Sequence, residues 1–235
     1  NNVAFYDEAH ASWTVAPPMI NKRDDFGLAS DGTTLFALGG FIGNPSVNVE
    51  TFTPNATGGG KWVAGVDLRT ARVGVRAAAV SGKIVVVGGF PWSMMKNVET
   101  FDPVMGAWAD AAPMATPRHG HAVAALEGLV YAAGGCNDDS CTSVEAYDIA
   151  ANKWLPVSPL PGQPNALYVL VPVDNASFLV VGGFNGTSGG DMQPEDLLRP
   201  IWKMEVDSSN PLSNSWSRVS ELPNSRGFPA AALAG

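Results

Sequence analysis

Four short apolar runs recur along the chain, and each ends in a pair of glycines. The runs are rich in leucine, isoleucine, valine and aromatic residues, a composition typical of buried β-strands. The pairs recur at intervals of 49, 46 and 48 residues, which is the length of one four-stranded sheet unit. They are Gly39-Gly40, Gly88-Gly89, Gly134-Gly135 and Gly182-Gly183. The pattern therefore predicts an all-β chain built from repeated sheets.

Aromatic residues follow the glycine pairs at a fixed distance. In three repeats an aromatic lies twelve positions after the second glycine, at Phe52, Phe101 and Tyr147. In the last repeat the aligned position is Val206, which lies 23 residues after the second glycine. Tryptophans follow these positions, and because glycine leaves the backbone bare, we expect the large side chains to pack on the glycine pairs in the core. The expected core tryptophans are Trp13, Trp62, Trp108, Trp154 and Trp216.

The combination of Gly-Gly, an aromatic before Asp, and Trp resembles the kelch repeat, which forms one blade of a β-propeller. The resemblance covers nearly the whole chain. It implies one domain, residues 1–235, with four full blades. Tyr6 and Trp13 match the third and fourth strands of a blade, while residues 229–233 match a first strand. This implies a fifth blade shared between the chain ends, or six blades if residues outside this sequence are missing. A neighbouring chain or segment that completes the propeller is the alternative.

Composition fits one such domain. A length of 235 residues suits a single propeller, and 26 glycines with 18 prolines suit many turns. No apolar run approaches the length of a membrane span, and the first residues lack the order of a signal peptide, which is either absent or removed. A net charge of −8 without a basic cluster argues against nucleic acid and anionic membranes as partners.

One face of the propeller is predicted to bind. In an antiparallel blade, the loops after each Gly-Gly share a face with the segments that lead into the next inner strand. The last such loop, residues 184–200, is the longest, because 23 residues separate Gly183 from Val206 where the other repeats have 12. Long loops on a rigid scaffold commonly carry binding residues, so Asp191 and Glu195 of this loop are candidates.

Four arginines are the other binding candidates on this face. Each lies four residues after an apolar residue that precedes an inner strand; they are Arg23, Arg72, Arg118 and Arg226. Guanidinium groups at the mouth of the channel would clamp the carboxylates of an acidic partner bidentately. The alternative is a structural role, in which each arginine pairs with a nearby aspartate such as Asp24 or Asp25, or donates to loop carbonyls.

Signals for catalysis, metal or cofactor are scarce. His119 and His121 flank one glycine at a strand start, where alternate residues face the same side, but no third metal ligand is placed by spacing. Galactose oxidase resembles this architecture, yet the tyrosines and histidines of its copper site have no counterparts that we can place here. The sequence therefore predicts no catalytic residue, no metal site and no cofactor.

A cysteine pair and three sequons bear on the compartment. Cys136 and Cys141 are separated by four residues across a turn, which suits a local disulfide; a reduced pair, or a cation site at Asp138 and Asp139, are the alternatives. All three sequons fall in predicted turns, and their asparagines are Asn55, Asn175 and Asn185. These features favour an extracellular or cell-surface protein, with a cytoplasmic one as the alternative.

The leading functional prediction is a non-catalytic binding or scaffold module. Its loop-rich face would hold a protein segment or a glycan within a larger secreted or surface assembly. The alternatives are a propeller enzyme of the galactose-oxidase or sugar-isomerising type, and an intracellular kelch substrate adaptor.

Overall fold

The computed structural model describes residues 3–7, 10–55, 59–91, 93–135, 142–161, 166–184, 199–207 and 210–224. Strands β1 (Val3–Asp7) and β2 (Ser12–Ala16) pair as an antiparallel hairpin. Four antiparallel four-stranded sheets follow in chain order, and we call them blades 1 to 4. The predicted all-β fold with four full repeats is thus confirmed.

Each blade is a meander whose strands pair in sequence order. Blade 1 contains β3 (Gly27–Ser30), β4 (Leu35–Leu38), β5 (Val49–Phe52) and β6 (Trp62–Ala64). Blade 2 contains β7 (Arg76–Val80), β8 (Lys83–Val87), β9 (Val98–Asp102) and β10 (Ala107–Ala111). Blade 3 contains β11 (Ala122–Leu126), β12 (Leu129–Ala133), β13 (Val144–Asp148) and β14 (Lys153–Val157). Blade 4 contains β15 (Ala166–Asp174), β16 (Ser177–Phe184), β17 (Pro200–Asp207) and β18 (Asn210–Glu221).

The first strands of successive blades are neighbours in space. Strand β3 contacts β7, β7 contacts β11, and β11 contacts β15. The blades therefore stand side by side with their first strands innermost, as in a propeller. Apolar side chains fill the space between them, and Val85 and Val86 of the second strand β8 are fully buried.

The glycine pairs lie where the sequence predicts them, at the end of each second strand. Strands β4, β8 and β12 stop directly before their pairs, whereas β16 runs through Gly182 and Gly183. The expectation that the third-strand aromatics and the tryptophans cover the glycines is wrong. Backbone from the segments before the inner strands lies against Gly40, Gly89 and Gly135, and the Tyr168 side chain lies against Gly134. A Cβ on Gly135, whose φ is 70°, would clash with the backbone nitrogen of His121.

The aromatic residues instead pair across the third and fourth strands. Phe52, Phe101 and Tyr147 lie opposite Trp62, Trp108 and Trp154, with ring centroids 5.3, 5.2 and 5.1 Å apart.

In blade 4 the register places Met204, and not Val206, opposite Trp216. The sequence alignment was wrong by two residues there, because β17 and β18 contain irregularities in their pairing that the spacing does not reveal.

Trp13 departs from the expected core position. Its side chain is 72% exposed on the β1–β2 hairpin, although it packs against Tyr6 as the other pairs do. Residues 229–233, which were predicted to supply the strand that pairs with this unit, lie outside the described residues. The shared fifth blade stays a prediction.

Candidate functional site

A buried arginine–glutamate pair recurs in blades 1, 2 and 3. The arginine lies in the segment that precedes the inner strand, and the glutamate lies in the third strand of the same blade, 27 residues later. The pairs are Arg23–Glu50 at 2.6 Å, Arg72–Glu99 at 2.5 Å and Arg118–Glu145 at 2.8 Å. All three guanidinium side chains are excluded from solvent. The repeat therefore builds the same buried ion pair three times.

Hydrogen bonds to the backbone complete each pair, as blade 2 illustrates. The Arg72 guanidinium also donates to the carbonyls of Gly88 at 2.9 Å and Asn97 at 3.1 Å. The Glu99 carboxylate accepts from the N–H groups of Arg69 at 2.7 Å and Thr70 at 3.1 Å. Each pair thus ties the segment before the inner strand to the glycine pair and to the third strand.

The hydrogen bonds of the first pair favour the charged form of Glu50. Burial acts to raise the pKa of the Glu50 carboxyl, but hydrogen bonds from the Asn21 N–H, the Arg23 guanidinium and the Ile20 N–H outweigh it. The pKa of Glu50 therefore lies below its ordinary value.

The interpretation of Arg23, Arg72 and Arg118 as ligand-binding residues is corrected by this geometry. Their guanidinium groups are buried in internal ion pairs, so they are not at the mouth of the channel. The structural alternative holds with two qualifications. The carboxylate partner is the third-strand glutamate and not Asp24 or Asp25, while the predicted donation to loop carbonyls is present.

Blade 4 lacks the pair. Trp202, which pairs with Val180 two residues before Gly182, takes the register position of the glutamates. The position corresponding to the arginine is proline 164 in the sequence. Both partners are thus replaced together, as expected where a lone buried charge would be costly.

A second group of ionisable residues is partly exposed on the loop face, which we define as the segments after each Gly-Gly together with those that lead into each inner strand, up to its first residue. Asp25 of blade 1, Arg76 of blade 2 and His119 of blade 3 meet there. The Asp25 carboxylate lies 3.5 Å from Arg76 Nη1 and 3.7 Å from His119 Nε2. Three successive blades therefore contribute one ionisable side chain each to the same place.

This environment lowers the pKa of Asp25. The neighbouring His119 imidazole is the largest cause, Arg76 acts in the same direction, and burial opposes them. The three side chains are 41%, 32% and 36% exposed for Asp25, Arg76 and His119, so a ligand can reach them. The group is charged, accessible and held between blades.

Two phenylalanines complete the loop-face cluster, which consists of Asp25, Arg76, His119, Phe41 and Phe90. Each phenylalanine directly follows a Gly-Gly pair, and the two side chains are 41% and 36% exposed. The Phe90 ring lies 5.4 Å from the His119 ring between centroids. Large exposed aromatics beside ionisable groups are the composition of protein-binding surfaces.

The backbone holds the cluster rigidly. Phe41 exchanges hydrogen bonds with Asp24, and Phe90 exchanges them with Val73. Between blades, the Gly74 N–H donates to the Asp25 carbonyl at 2.8 Å. Main-chain hydrogen bonds therefore preorganise the face.

His121 does not join His119 in a common site. Its ring is fully buried against Gly88, whereas His119 is partly exposed. Burial lowers the pKa of His121 well below its ordinary value, and the positive charges of Arg76, Arg118 and His119 act in the same direction. Within the described ranges, no three histidine, cysteine, aspartate or glutamate side chains lie close enough to hold a metal ion.

Several predicted site residues lie outside the described residues. They are Arg226, Asp191, Glu195, Cys136, Cys141 and Asn185. Two sequon asparagines are described: Asn55 lies between β5 and β6, and Asn175 between β15 and β16, and both are exposed. Both lie in connections between strands, while their glycosylation and the disulfide stay predictions.

Sequence reasoning missed the loop-face cluster as a site. Phe41 and Phe90 carried a signal, because both follow a glycine pair directly. The meeting of Asp25, Arg76 and His119 carried none, since they occupy different repeat positions.

Comparison with known proteins supports the repeat assignment. The family described as Kelch motif matches residues 71–115 and 117–161. Kelch domain-containing protein 8B of Rattus norvegicus is 31% identical over 105 residues, which is 42% of this chain and 28% of that protein. The Mus musculus protein of the same name is 30% identical over 105 residues, with the same coverage of the two chains. The alignments span little more than a quarter of these relatives.

The fold also matches a solved structure. The structure of YjhT superposes with a TM-score of 0.73 at 13% identity, and the match covers 88% of this chain and 68% of that one. This likeness concerns the fold alone. The described part of the chain contains no helix that is long and apolar enough to cross a membrane.

Proposed function

Because two segments of this chain match the Kelch motif and its blades pack as in a propeller, we propose that it is a non-catalytic binding module whose loop face holds a segment of a partner protein. The observation that carries the proposal is the loop-face cluster. Two exposed phenylalanines flank three ionisable side chains from three blades, on a face held by main-chain hydrogen bonds. Aromatic anchors beside charge-assisted hydrogen bonds give a protein interface both affinity and specificity.

The charge of the cluster sets the kind of segment expected. Asp25 is already flanked by Arg76 and His119, so a partner carboxylate would compete with Asp25 for these two donors. The phenylalanine rings accept an apolar or aromatic side chain. The expected segment therefore carries an apolar anchor next to an acidic residue.

We place the module in a secreted or cell-surface assembly. Asn55 and Asn175 are exposed in hairpins joining strands three and four, or one and two, which lie on the face opposite the loop face. Glycans there leave the loop face open. An intracellular adaptor would use the same face without them.

Selection from a peptide library tests this function. Peptides selected on the wild-type protein should bind Phe90→Ala at least tenfold more weakly, since a central aromatic anchor is commonly worth about 2 kcal/mol or more. Val104→Ala is the matched control, because Val104 is a 93% exposed apolar residue in the β9–β10 hairpin on the other face. Selected peptides that bind Phe90→Ala and wild type equally would refute the assignment.

A further inference from the structure

Two hydrogen bonds to a single residue join blade 2 to blade 3, and two hydrogen bonds to another residue join blade 3 to blade 4. The Ala112 carbonyl accepts from Trp154 Nε1 at 2.9 Å, and the Ala112 N–H donates to Asn152 Oδ1 at 2.8 Å. The Ser158 carbonyl accepts from Trp216 Nε1 at 3.3 Å, and its N–H donates to Asn214 Oδ1 at 3.3 Å. In both cases an indole and a carboxamide from the following blade bind the carbonyl and the N–H of the same residue.

The junction between blades 1 and 2 has only the first of these contacts. The Val66 carbonyl accepts from Trp108 Nε1 at 2.8 Å. The position of Asn152 is taken by Gly106, which also has a left-handed φ, 62° against 48°. Nothing lies within 4 Å of the place where a Gly106 Cβ would be. Among the described residues, no acceptor faces the Val66 N–H as Asn152 faces that of Ala112.

A second group is missing at the same place. In blade 3 the Tyr147 hydroxyl donates to Asn152 Oδ1 at 2.7 Å, whereas blade 2 has Phe101 at this position and no hydroxyl. A cavity of about 300 Å³, which we call the interblade pocket, lies between blades 1 and 2 and is lined by Val66 and Phe101. Its walls include Phe36, Val49, Thr51, Val66, Phe101 and Trp108. This volume is at the lower end of the range for small-molecule sites.

We propose that the interblade pocket binds a small, neutral primary carboxamide with an aromatic body. The amide oxygen accepts from the Val66 N–H, as the Asn152 oxygen accepts from that of Ala112. The aromatic body lies against Phe101 and Trp108, where offset or edge-to-face contacts are favourable. Threonine hydroxyls in the wall supply acceptors for the amide nitrogen.

The lining also sets the charge of the ligand. No ionisable side chain is among the residues that line this pocket. A carboxylate of the same shape would lose its hydration without gaining a cation, so it binds less well than the amide. The pocket shares no lining residue with the loop-face cluster, so the proposal is independent of the function assigned there.

Titration with benzamide, benzoate and toluene tests the proposal on the wild-type chain. In ¹H–¹⁵N spectra, benzamide is expected to shift the Val66 amide resonance and to bind at least tenfold more tightly than benzoate or toluene. Equal binding of benzamide and benzoate, or no movement of the Val66 resonance at saturating benzamide, would overturn it.

A substitution gives a second, independent measurement. Gly106→Asn places the missing carboxamide in the pocket and is expected to weaken benzamide binding at least tenfold while raising the thermal midpoint. Gly82→Asn is the matched control, because Gly82 is also a left-handed glycine with open space around it, in the β7–β8 turn of the same blade. Unchanged benzamide binding by folded Gly106→Asn would contradict the proposal.

Discussion

Replacing Arg72 with methionine is expected to destabilise the protein by about 3–5 kcal/mol, the usual cost of removing one partner of a buried ion pair. Methionine retains an apolar stem but removes the donors to Gly88, Asn97 and Glu99. The Glu99 carboxylate then stays buried with only the N–H groups of Arg69 and Thr70 as donors.

The partner substitution tests the cause. When Glu99→Leu is combined with Arg72→Met, the loss should be well below the sum of the two single losses, because an apolar pair of similar size avoids the uncompensated charge. Blade 4 already uses such a replacement, with Trp202 at the glutamate position.

Denaturant unfolding followed by tryptophan fluorescence measures these free energies. The control is Arg69→Met, which breaks an ion pair with Asp110 whose side chains are 54% and 68% exposed, and it should cost less than about 1 kcal/mol. If Arg72→Met costs no more than this control, the buried pairs do not stabilise the blades and the reasoning is refuted.

Three further predictions concern other parts of the chain. Because the pKa of His121 lies below that of an unfolded histidine, the unfolded chain takes up the extra proton; the free energy of unfolding should fall by up to about 1.4 kcal/mol per unit as pH drops below about 6.5. Blade 2 has a valine at the corresponding position, so His121→Val should remove this part of the pH dependence, as measured by denaturation at several pH values. Gly135→Ala should cost about 2–4 kcal/mol, since its Cβ meets backbone atoms, whereas Gly82→Ala meets none and should cost about 1 kcal/mol; denaturation midpoints showing equal losses would contradict this. Intact-mass analysis of secreted protein should show Cys136 and Cys141 disulfide-bonded, and two free thiols would favour a reducing compartment.

The fold was predictable because the repeat signals are local. Gly88-Gly89, Phe101 and Trp108 specify a strand end, a third strand and a fourth strand by spacing alone, and the structure places them so. The spacing failed in blade 4, where irregular pairing moves the aromatic position to Met204.

The candidate site was less predictable, because its residues are brought together by the packing of successive blades. The arginines were found from their repeat position, but their role depends on a glutamate 27 residues later, whose burial no local pattern reports. Asp25, Arg76 and His119 come from three blades and meet only after the inner strands pack.

The direction of the indole hydrogen bonds bears on synthesis. Trp108, Trp154 and Trp216 each donate to a carbonyl in the blade that precedes them in the chain. As the N-terminal part leaves the ribosome first, each acceptor is already available when its donor emerges. These blades can therefore dock one after another during translation, and none of the three bonds requires a repeat that has yet to be made.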